Sequence, residues 1–217
     1  MNRREELENN LNVVARAISS YNPTLIVVTK TYPVSDVEIL YQLGVRDFGE
    51  NRDEEGAEKS SRVAGTWHYQ GEIQSKKIRS IASWASTIHS LDELRHIEKF
   101  NRVAGELGKT LNVFIQLSLD GDPHRGGVLE ENVQALATAA EDAENLNLMG
   151  LMCVPPVEAD PESAYREISE IRQRFIAKYP AARSLSAGMS GDYLLALQHG
   201  ATHIRVGSSI LGQRQYR

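Results

Sequence analysis

Cysteine is almost absent from this 217-residue chain: Cys153 is the single one, so no disulfide can form within the chain. No apolar run approaches the roughly 20 residues that cross a bilayer, and the first ten residues are too charged for a signal peptide. A lone thiol fits a reducing compartment and usually packs as a small apolar side chain. We therefore expect a cytoplasmic protein in which Cys153 is buried and inert.

The motifs of several common ligand sites are also missing. The GxGxxG fingerprint, the P-loop and the GxSxG nucleophile elbow do not occur, and the six histidines show no zinc-ligand spacing. A net charge of −5 provides no overall field to attract nucleic acid or an anionic membrane. We accordingly expect no metal site, no nucleic-acid partner and no membrane partner.

Short apolar runs alternate with helical patterns along the chain. The runs that read as strands lie at 25–30, 45–51, 67–71, 86–90, 112–119, 148–154, 183–188 and 203–208. An amphipathic helix precedes them, with an apolar stripe of Leu7, Leu11, Val14 and Ile18. Strands that alternate with helices form parallel βαβ units of the α/β class. We predict one domain over residues 1–217, a (β/α)8 TIM barrel with an extra N-terminal helix, and an open doubly wound sheet is the alternative.

Several residues mark the expected ends of helices. Two Ser-x-x-Glu sequences, Ser35 with Glu38 and Ser90 with Glu93, are typical of capping boxes at helix starts. Glycines favoured just after a helix follow three of the helical patterns, at Gly44, Gly108 and Gly200. Pro161 suits the first turn of the helix that follows it.

Lys30 is the most informative residue, because it ends the first predicted strand. The carboxyl ends of the strands carry the chemistry in barrel enzymes. There a partly desolvated lysine amine loses its proton more easily and can attack a carbonyl carbon to form a Schiff base. The position of Lys30 therefore predicts a reactive amine at this rim.

Glycine and serine crowd the segments after the last two predicted strands, at 186–191 and 207–209. In TIM barrels these two loops and a short helix N-terminus commonly form a phosphate site. Glycine lets backbone N–H groups approach an anion, hydroxyls add donors, and the helix terminus adds partial positive charge. The alternative is that both segments are tight turns that need glycine.

Two further polar residues are expected at the same rim. Arg205 lies on the eighth predicted strand and, by alternation, on the same side as Gly207. It either faces a ligand or lines the barrel and pairs with Asp47 or Glu50. Asn51 ends the second predicted strand, where its amide either donates to a ligand oxygen or forms a turn.

Several segments together resemble the pyridoxal phosphate homeostasis protein family. They are VTK at 28–30, FGEN at 48–51, WHYQGEIQSKK at 67–77, HS at 89–90, GLMCV at 150–154, LSAGMSGDY at 185–193 and IRVGSSILG at 204–212. The order and spacing of these segments match the family over nearly the whole chain. The resemblance implies a fold-type III barrel like the N-terminal domain of alanine racemase, with pyridoxal 5′-phosphate (PLP) as its cofactor.

The resemblance also implies roles for the residues at matching positions. Lys30 would form the Schiff base with PLP, Arg205 would meet the pyridine nitrogen, and Asn51 would border the ring. The phosphate would be held by Ser186, Gly207 and Ser208, with Met189 and Ser190 nearby. Because a guanidinium keeps its proton, the ring nitrogen opposite Arg205 would stay unprotonated, which makes the ring a weaker electron sink.

The family resemblance implies a carrier rather than an enzyme. A racemase needs an acid–base group on each face of the substrate α-carbon, and alanine racemases bring the second, a tyrosine, from another domain across a dimer. Here only nine residues follow the eighth predicted strand, and they end in LGQRQYR, which includes Tyr216. We expect a monomer without catalytic residues that buffers PLP and passes it to recipient apo-enzymes. A PLP-dependent racemase or lyase of low activity and a cofactor-free lysine aldolase are the alternatives.

Overall fold

The computed structural model describes residues 2–122 and 124–212, in which strands and helices alternate after a first helix. The helices are α1 (Arg3–Ile18), α2 (Val34–Gln42), α3 (Asp53–Arg62), α4 (Ile78–Trp84), α5 (Leu94–Glu106), α6 (Glu130–Glu141), α7 (Pro161–Lys178), α8 (Tyr193–Gln198) and α9 (Ser208–Leu211). The strands are β1 (Thr24–Val28), β2 (Asp47–Glu50), β3 (Thr66–Tyr69), β4 (Thr87–Leu91), β5 (Leu111–Leu117), β6 (Leu146–Cys153), β7 (Ser184–Ser186) and β8 (His203–Val206). Tyr216 lies outside the described residues.

The eight strands form a closed parallel barrel in sequence order. Closure comes from β1 and β8, which pair in parallel from Thr24 opposite His203 to Val27 opposite Val206. This topology confirms the predicted (β/α)8 barrel and excludes the open sheet. All eight predicted strands are present, although β1 ends at Val28, so Lys30 lies in the loop just beyond it.

The main apolar core lies between the outer faces of the strands and the surrounding helices. Each strand contributes buried side chains to it, such as Val27, Phe48, Ile88, Leu151 and Leu185. Alternation along each strand directs the neighbouring residues into the barrel. The side chains inside the barrel are therefore separate from this outer core. They lie below the candidate functional site, which is at the carboxyl end of the barrel.

Helix α1 is hydrogen-bonded to α2 and to the short helix α9. Its capping box joins Asn2 and Glu5, since the Glu5 N–H donates to Asn2 Oδ1 over 2.9 Å and the Asn2 N–H donates to the Glu5 carboxylate. Arg3 Nη2 donates to Asp36 over 2.6 Å and to the Leu211 carbonyl over 3.0 Å. These bonds tie the N-terminal helix to both α2 and α9, and so hold the short helix that follows β8.

The predicted helix ends are partly right. Both predicted capping boxes are wrong: α2 begins at Val34 without a side-chain cap, and Ser90 belongs to β4, where its hydroxyl donates to the Gly71 carbonyl over 2.6 Å. The barrel ladder extends to Leu91 and so includes Ser90 before a helix can start. The three glycines do follow helices with positive φ, and Pro161 is the first residue of α7.

Among the described residues, no helix combines the length and the apolar character that crossing a lipid bilayer requires.

Gly44 offers a test of the backbone argument, since it follows α2 with a φ of +100°, and a β-carbon there would meet no described residue other than its chain neighbours within 4 Å. We expect Gly44→Ala to lower the free energy of unfolding by about 1–2 kcal/mol, because an L side chain disfavours this conformation. Urea unfolding measures the change. Gly191→Ala is the matched control, because Gly191 has equal space and no positive φ. Equal losses in the two variants would contradict the conformational cause.

Candidate functional site

A cavity of about 480 Å³ opens at the carboxyl end of the barrel. Its size is typical of a small-ligand site. The sequence predicted eight cofactor-binding residues, and seven of them line this cavity: Lys30, Asn51, Met189, Ser190, Arg205, Gly207 and Ser208. Residues far apart in the chain thus converge on one space at the end of the barrel where chemistry is expected.

The loop that carries Lys30 is held on both sides by a largely buried charged cluster. We call Glu50, Glu55 and Lys59 the loop clamp. Lys59 Nζ donates to Glu50 over 2.7 Å and to the Thr29 carbonyl over 2.8 Å, and the Thr29 hydroxyl donates to Glu50 over 2.5 Å. On the other side of Lys30, the Thr31 N–H donates to Glu55 over 2.6 Å.

The loop clamp maintains an uncommon backbone conformation. Thr31 has a φ of +71°, in the left-handed region that a β-branched residue rarely adopts. Glu50 and Lys59 are almost fully buried, and burial raises the pKa of Glu50 while hydrogen bonds from Lys59 and Thr29 oppose that rise. The clamp therefore sets the direction in which the chain leaves β1 and with it the place of Lys30. Nothing in the sequence pattern pointed to Lys59.

Arg205 lies at the base of the cavity and is almost completely buried. Its Nη1 donates to the Ser186 carbonyl over 2.7 Å and to the Ser186 hydroxyl over 2.8 Å, and its Nη2 donates to the Cys153 carbonyl over 3.1 Å. Burial lowers the pKa of Arg205, yet a guanidinium stays protonated in proteins. These bonds use three of its five N–H groups, so two can serve a group in the cavity.

The alternative partners considered for Arg205 do not contact it directly. Within the part of the chain that the structure describes, Glu50 bonds to Lys59 and Thr29, and Asp47 bonds to His68. Arg205 is thus a buried cation whose direct acceptors are neutral.

Ser186 is the predicted site residue that does not line the cavity. Its side chain is fully buried beneath Arg205, and its hydroxyl bonds to Arg205 and to His89 Nδ1 over 2.9 Å. The geometry therefore does not support the direct phosphate contact expected of its side chain. Alternation along the short strand β7 accounts for this, since Ser186 points into the barrel below the rim.

The two glycine- and serine-rich loops meet at the rim. Ser190 Oγ accepts from the backbone N–H groups of Gly207 and Ser209, each over 3.2 Å, and the Ser209 hydroxyl donates to the Ser190 carbonyl. Met189 is held by a bond from its N–H to Asp192 over 2.6 Å. Hydroxyls and backbone N–H groups at the start of α9 therefore form one polar corner, which has the composition of an anion site.

Gln70 is a site residue that sequence reasoning missed. Its Nε2 is buried and has no hydrogen-bond partner among the described residues, although the side chain lines the cavity. A β-carbon on Gly49 would stand 1.9 Å from that atom, so glycine in FGEN makes room for the amide. An unsatisfied buried donor is costly, and a ligand with an acceptor oxygen would satisfy it. The side chains present therefore fit a phosphorylated aldehyde whose aromatic ring contains a nitrogen and carries a hydroxyl group.

Comparison with known proteins agrees with this site. The family model described as the N-terminal domain of alanine racemase matches residues 3–215. The pyridoxal phosphate homeostasis protein of Corynebacterium glutamicum is 42% identical over 198 residues, which covers 88% of this chain and 90% of the relative.

Solved structures extend the comparison. PipY of Synechococcus elongatus, solved with PLP bound, is 29% identical, with a TM-score of 0.86 over 95% of this chain and all of that one. Alanine racemase of Clostridium difficile, at 16% identity and a TM-score of 0.80, shares the fold over 98% of this chain and 58% of its own.

The loop clamp can be tested through stability. We expect Lys59→Met to lower the free energy of unfolding by about 3–5 kcal/mol, because it leaves the Glu50 carboxylate buried without a counter-charge. Adding Glu50→Gln should restore part of that loss, as urea unfolding of the single and double variants would show. Lys77→Met, which removes an exposed ion pair with Glu54, is the control and should change stability little. A small loss in Lys59→Met would contradict the clamp.

The Cys153 thiol gives a second test. Burial raises the pKa of Cys153 to about 12, and the thiolate is the reactive form. We expect iodoacetamide to leave the native protein unlabelled at pH 8 and to label one thiol after unfolding in urea, as mass spectrometry would show. Rapid labelling of the native protein would mean that Cys153 is exposed or activated.

Proposed function

Because this chain belongs to the pyridoxal phosphate homeostasis protein family, we propose that it holds PLP as a Schiff base on Lys30. We propose further that it buffers PLP in the cytoplasm and delivers it to recipient apo-enzymes, acting as a monomer without robust catalysis of its own. The observation that carries the proposal is the convergence of Lys30, Arg205 and the Ser190–Gly207 corner on one cavity.

Each part of the cavity suits one part of PLP. When bound, PLP supplies an aldehyde carbon that a primary amine can attack. The unprotonated Lys30 amine would form the new carbon–nitrogen bond, and the aldehyde oxygen would leave as water. Ser190, Gly207 and Ser208 would hold the phosphate, beside Met189.

The remaining polar groups suit the ring. Arg205 would donate one of its two remaining N–H groups to the ring nitrogen, with Ser186 holding the guanidinium from below. Asn51 and Gln70 would donate to the ring hydroxyl oxygen. This assignment gives the buried amide of Gln70 a partner.

The described lining of the cavity favours a carrier over a racemase. Racemisation needs a second acid–base group opposite the lysine. Tyr32 lines the cavity, but its hydroxyl donates to the Gly212 carbonyl over 2.7 Å, and the Arg205 guanidinium stays charged. Reversible binding of an aldehyde needs only the amine and the groups that hold the phosphate and ring.

The attachment can be tested by borohydride reduction of the protein after incubation with PLP, followed by peptide mapping. We expect one pyridoxyl adduct, on Lys30, and a visible absorbance band before reduction. Lys30→Ala should lose the adduct and the band but keep weaker, non-covalent binding, because the phosphate corner is separate from the amine. Lys76→Ala, which changes an exposed lysine, is the matched control. An adduct that persists in Lys30→Ala would overturn the assignment.

A turnover assay distinguishes carrier from enzyme. Racemisation of alanine no faster than with free PLP agrees with the carrier. Faster turnover that disappears in Lys30→Ala would identify a PLP-dependent enzyme instead.

A further inference from the structure

A continuous line of hydrogen bonds crosses the inside of the barrel, and we call its five members the barrel relay. Arg205 Nη1 donates to Ser186 Oγ over 2.8 Å, and Ser186 Oγ lies 2.9 Å from His89 Nδ1. His89 Nε2 lies 2.9 Å from His68 Nδ1, and His68 Nε2 lies 3.1 Å from Asp47 Oδ1. The relay thus joins a guanidinium to a carboxylate through one serine and two histidines.

The relay runs from the cavity to the opposite end of the barrel. Arg205 forms the base of the cavity, whereas Asp47 is the first residue of β2 and its side chain is 30% exposed. The three residues between them, Ser186, His89 and His68, are buried. A group at the solvent-exposed amino end of the barrel is therefore in hydrogen-bonded contact with the group that faces the ligand.

Chemistry assigns every proton in the relay. The Asp47 carboxylate can only accept, so His68 donates to it from Nε2, and with one proton on each ring His68 Nδ1 is an acceptor. His89 then donates from Nε2 to His68 Nδ1, and its own Nδ1 accepts the proton of the Ser186 hydroxyl, whose oxygen accepts from Arg205. The reverse direction fails, because a carboxylate has no proton to donate to His68.

The neutral state of His89 agrees with this assignment. Burial lowers the pKa of His89 well below its usual value, and the proximity of His68 and Arg205 lowers it further. The His89 ring also stacks on Phe114, with centroids 4.6 Å apart and planes 12° from parallel. Its orientation is thus set by packing as well as by hydrogen bonds.

The composition of the relay is unusual for this fold. Barrel interiors are filled mostly by branched apolar side chains, and buried polar networks are favourable only when every member is satisfied. Here two histidines and a serine occupy interior positions, and each has partners on both sides. Packing alone does not require these residue types.

We propose that Ser186, His89, His68 and Asp47 are positioning residues that orient Arg205 and couple its guanidinium to the distant Asp47 carboxylate. Resting on the proposed function, this means that the amino end of the barrel influences how the cavity holds the ring of PLP. The role is that of an electrostatic and orienting connection, since Arg205 cannot pass a proton onward.

The relay itself is tested without any ligand. In protein labelled with ¹⁵N-histidine, we expect His68 and His89 to be neutral with the proton on Nε2, and both N–H signals to exchange slowly with water. Asp47→Asn should shift the His68 Nε2–H signal. Histidines found charged, or protonated on Nδ1, would overturn the relay whether or not the protein binds PLP.

The coupling to the cavity is tested with PLP whose ring nitrogen is ¹⁵N-labelled. We expect Asp47→Asn, a change far from the cavity, to weaken PLP binding about fivefold or more, the lower end of typical coupling between sites, and to move the ring-nitrogen shift. His89→Leu should have a larger effect, and His89→Gln, which can still accept and donate, a smaller one. His96→Gln is the control, because His96 is a buried histidine of α5 that bonds to Ser75 and not to the relay.

The outcomes separate the two proposals. Unchanged affinity and ring-nitrogen shift in Asp47→Asn, with Lys30 still modified, would overturn the coupling and leave the carrier function standing. If His89→Leu does not fold, Asp47→Asn still decides, because Asp47 is partly exposed at the end of the barrel. If the unaltered protein binds no PLP, both the proposed function and the coupling to PLP are wrong. The existence of the relay is then tested by the histidine NMR signals alone.

Discussion

The parallel pairing of β1 with β8 is the interaction on which the rest of the structure depends. It closes the barrel and places the end of the first strand beside the end of the last, with Val27 opposite Val206. Lys30, just past one strand, therefore shares a cavity with Gly207, just past the other. Helix α1 reinforces this closure, because Arg3 bonds to both α2 and the end of α9. Without that pairing the lysine and the anion corner would belong to opposite edges of a sheet.

The barrel places apolar side chains and buried charged or polar side chains in two different regions. The outer faces of its strands bury aliphatic and aromatic side chains against the helices and provide the apolar stabilisation expected of any domain. Charged and polar groups are instead concentrated beneath the rim, in the loop clamp around Glu50 and Lys59 and in the relay below Arg205. Buried ion pairs contribute little net stability compared with apolar packing. Here these groups set orientation instead: they position two basic side chains, Lys30 and Arg205, that the proposed function would use.

Sequence reasoning reached the barrel and most of the cavity lining, and its errors share a cause. The eight strands and the glycines after helices follow from local periodicity and from backbone conformations that glycine favours. The capping box predicted at Ser90 is wrong because Ser90 belongs to strand β4 and therefore does not begin a helix. Lys59 and Gln70 were missed because each becomes a site residue only through a partner on another element. Ser186 was found, but in contact with Arg205 rather than with the cavity.

The sequence by itself determined the alternation of strands and helices, the lysine beyond the first strand, the glycine- and serine-rich loops beyond the last two, and the resemblance to a family. These are local features, because periodicity, turn preference and motif order depend on residues close together in the chain. Only the tertiary structure decided which of these features meet in one cavity, that Lys59 and Glu55 hold the loop of Lys30, and that Arg205 connects through two histidines to Asp47. Those contacts depend on the closure and register of the barrel, which place residues from distant strands at hydrogen-bonding distance.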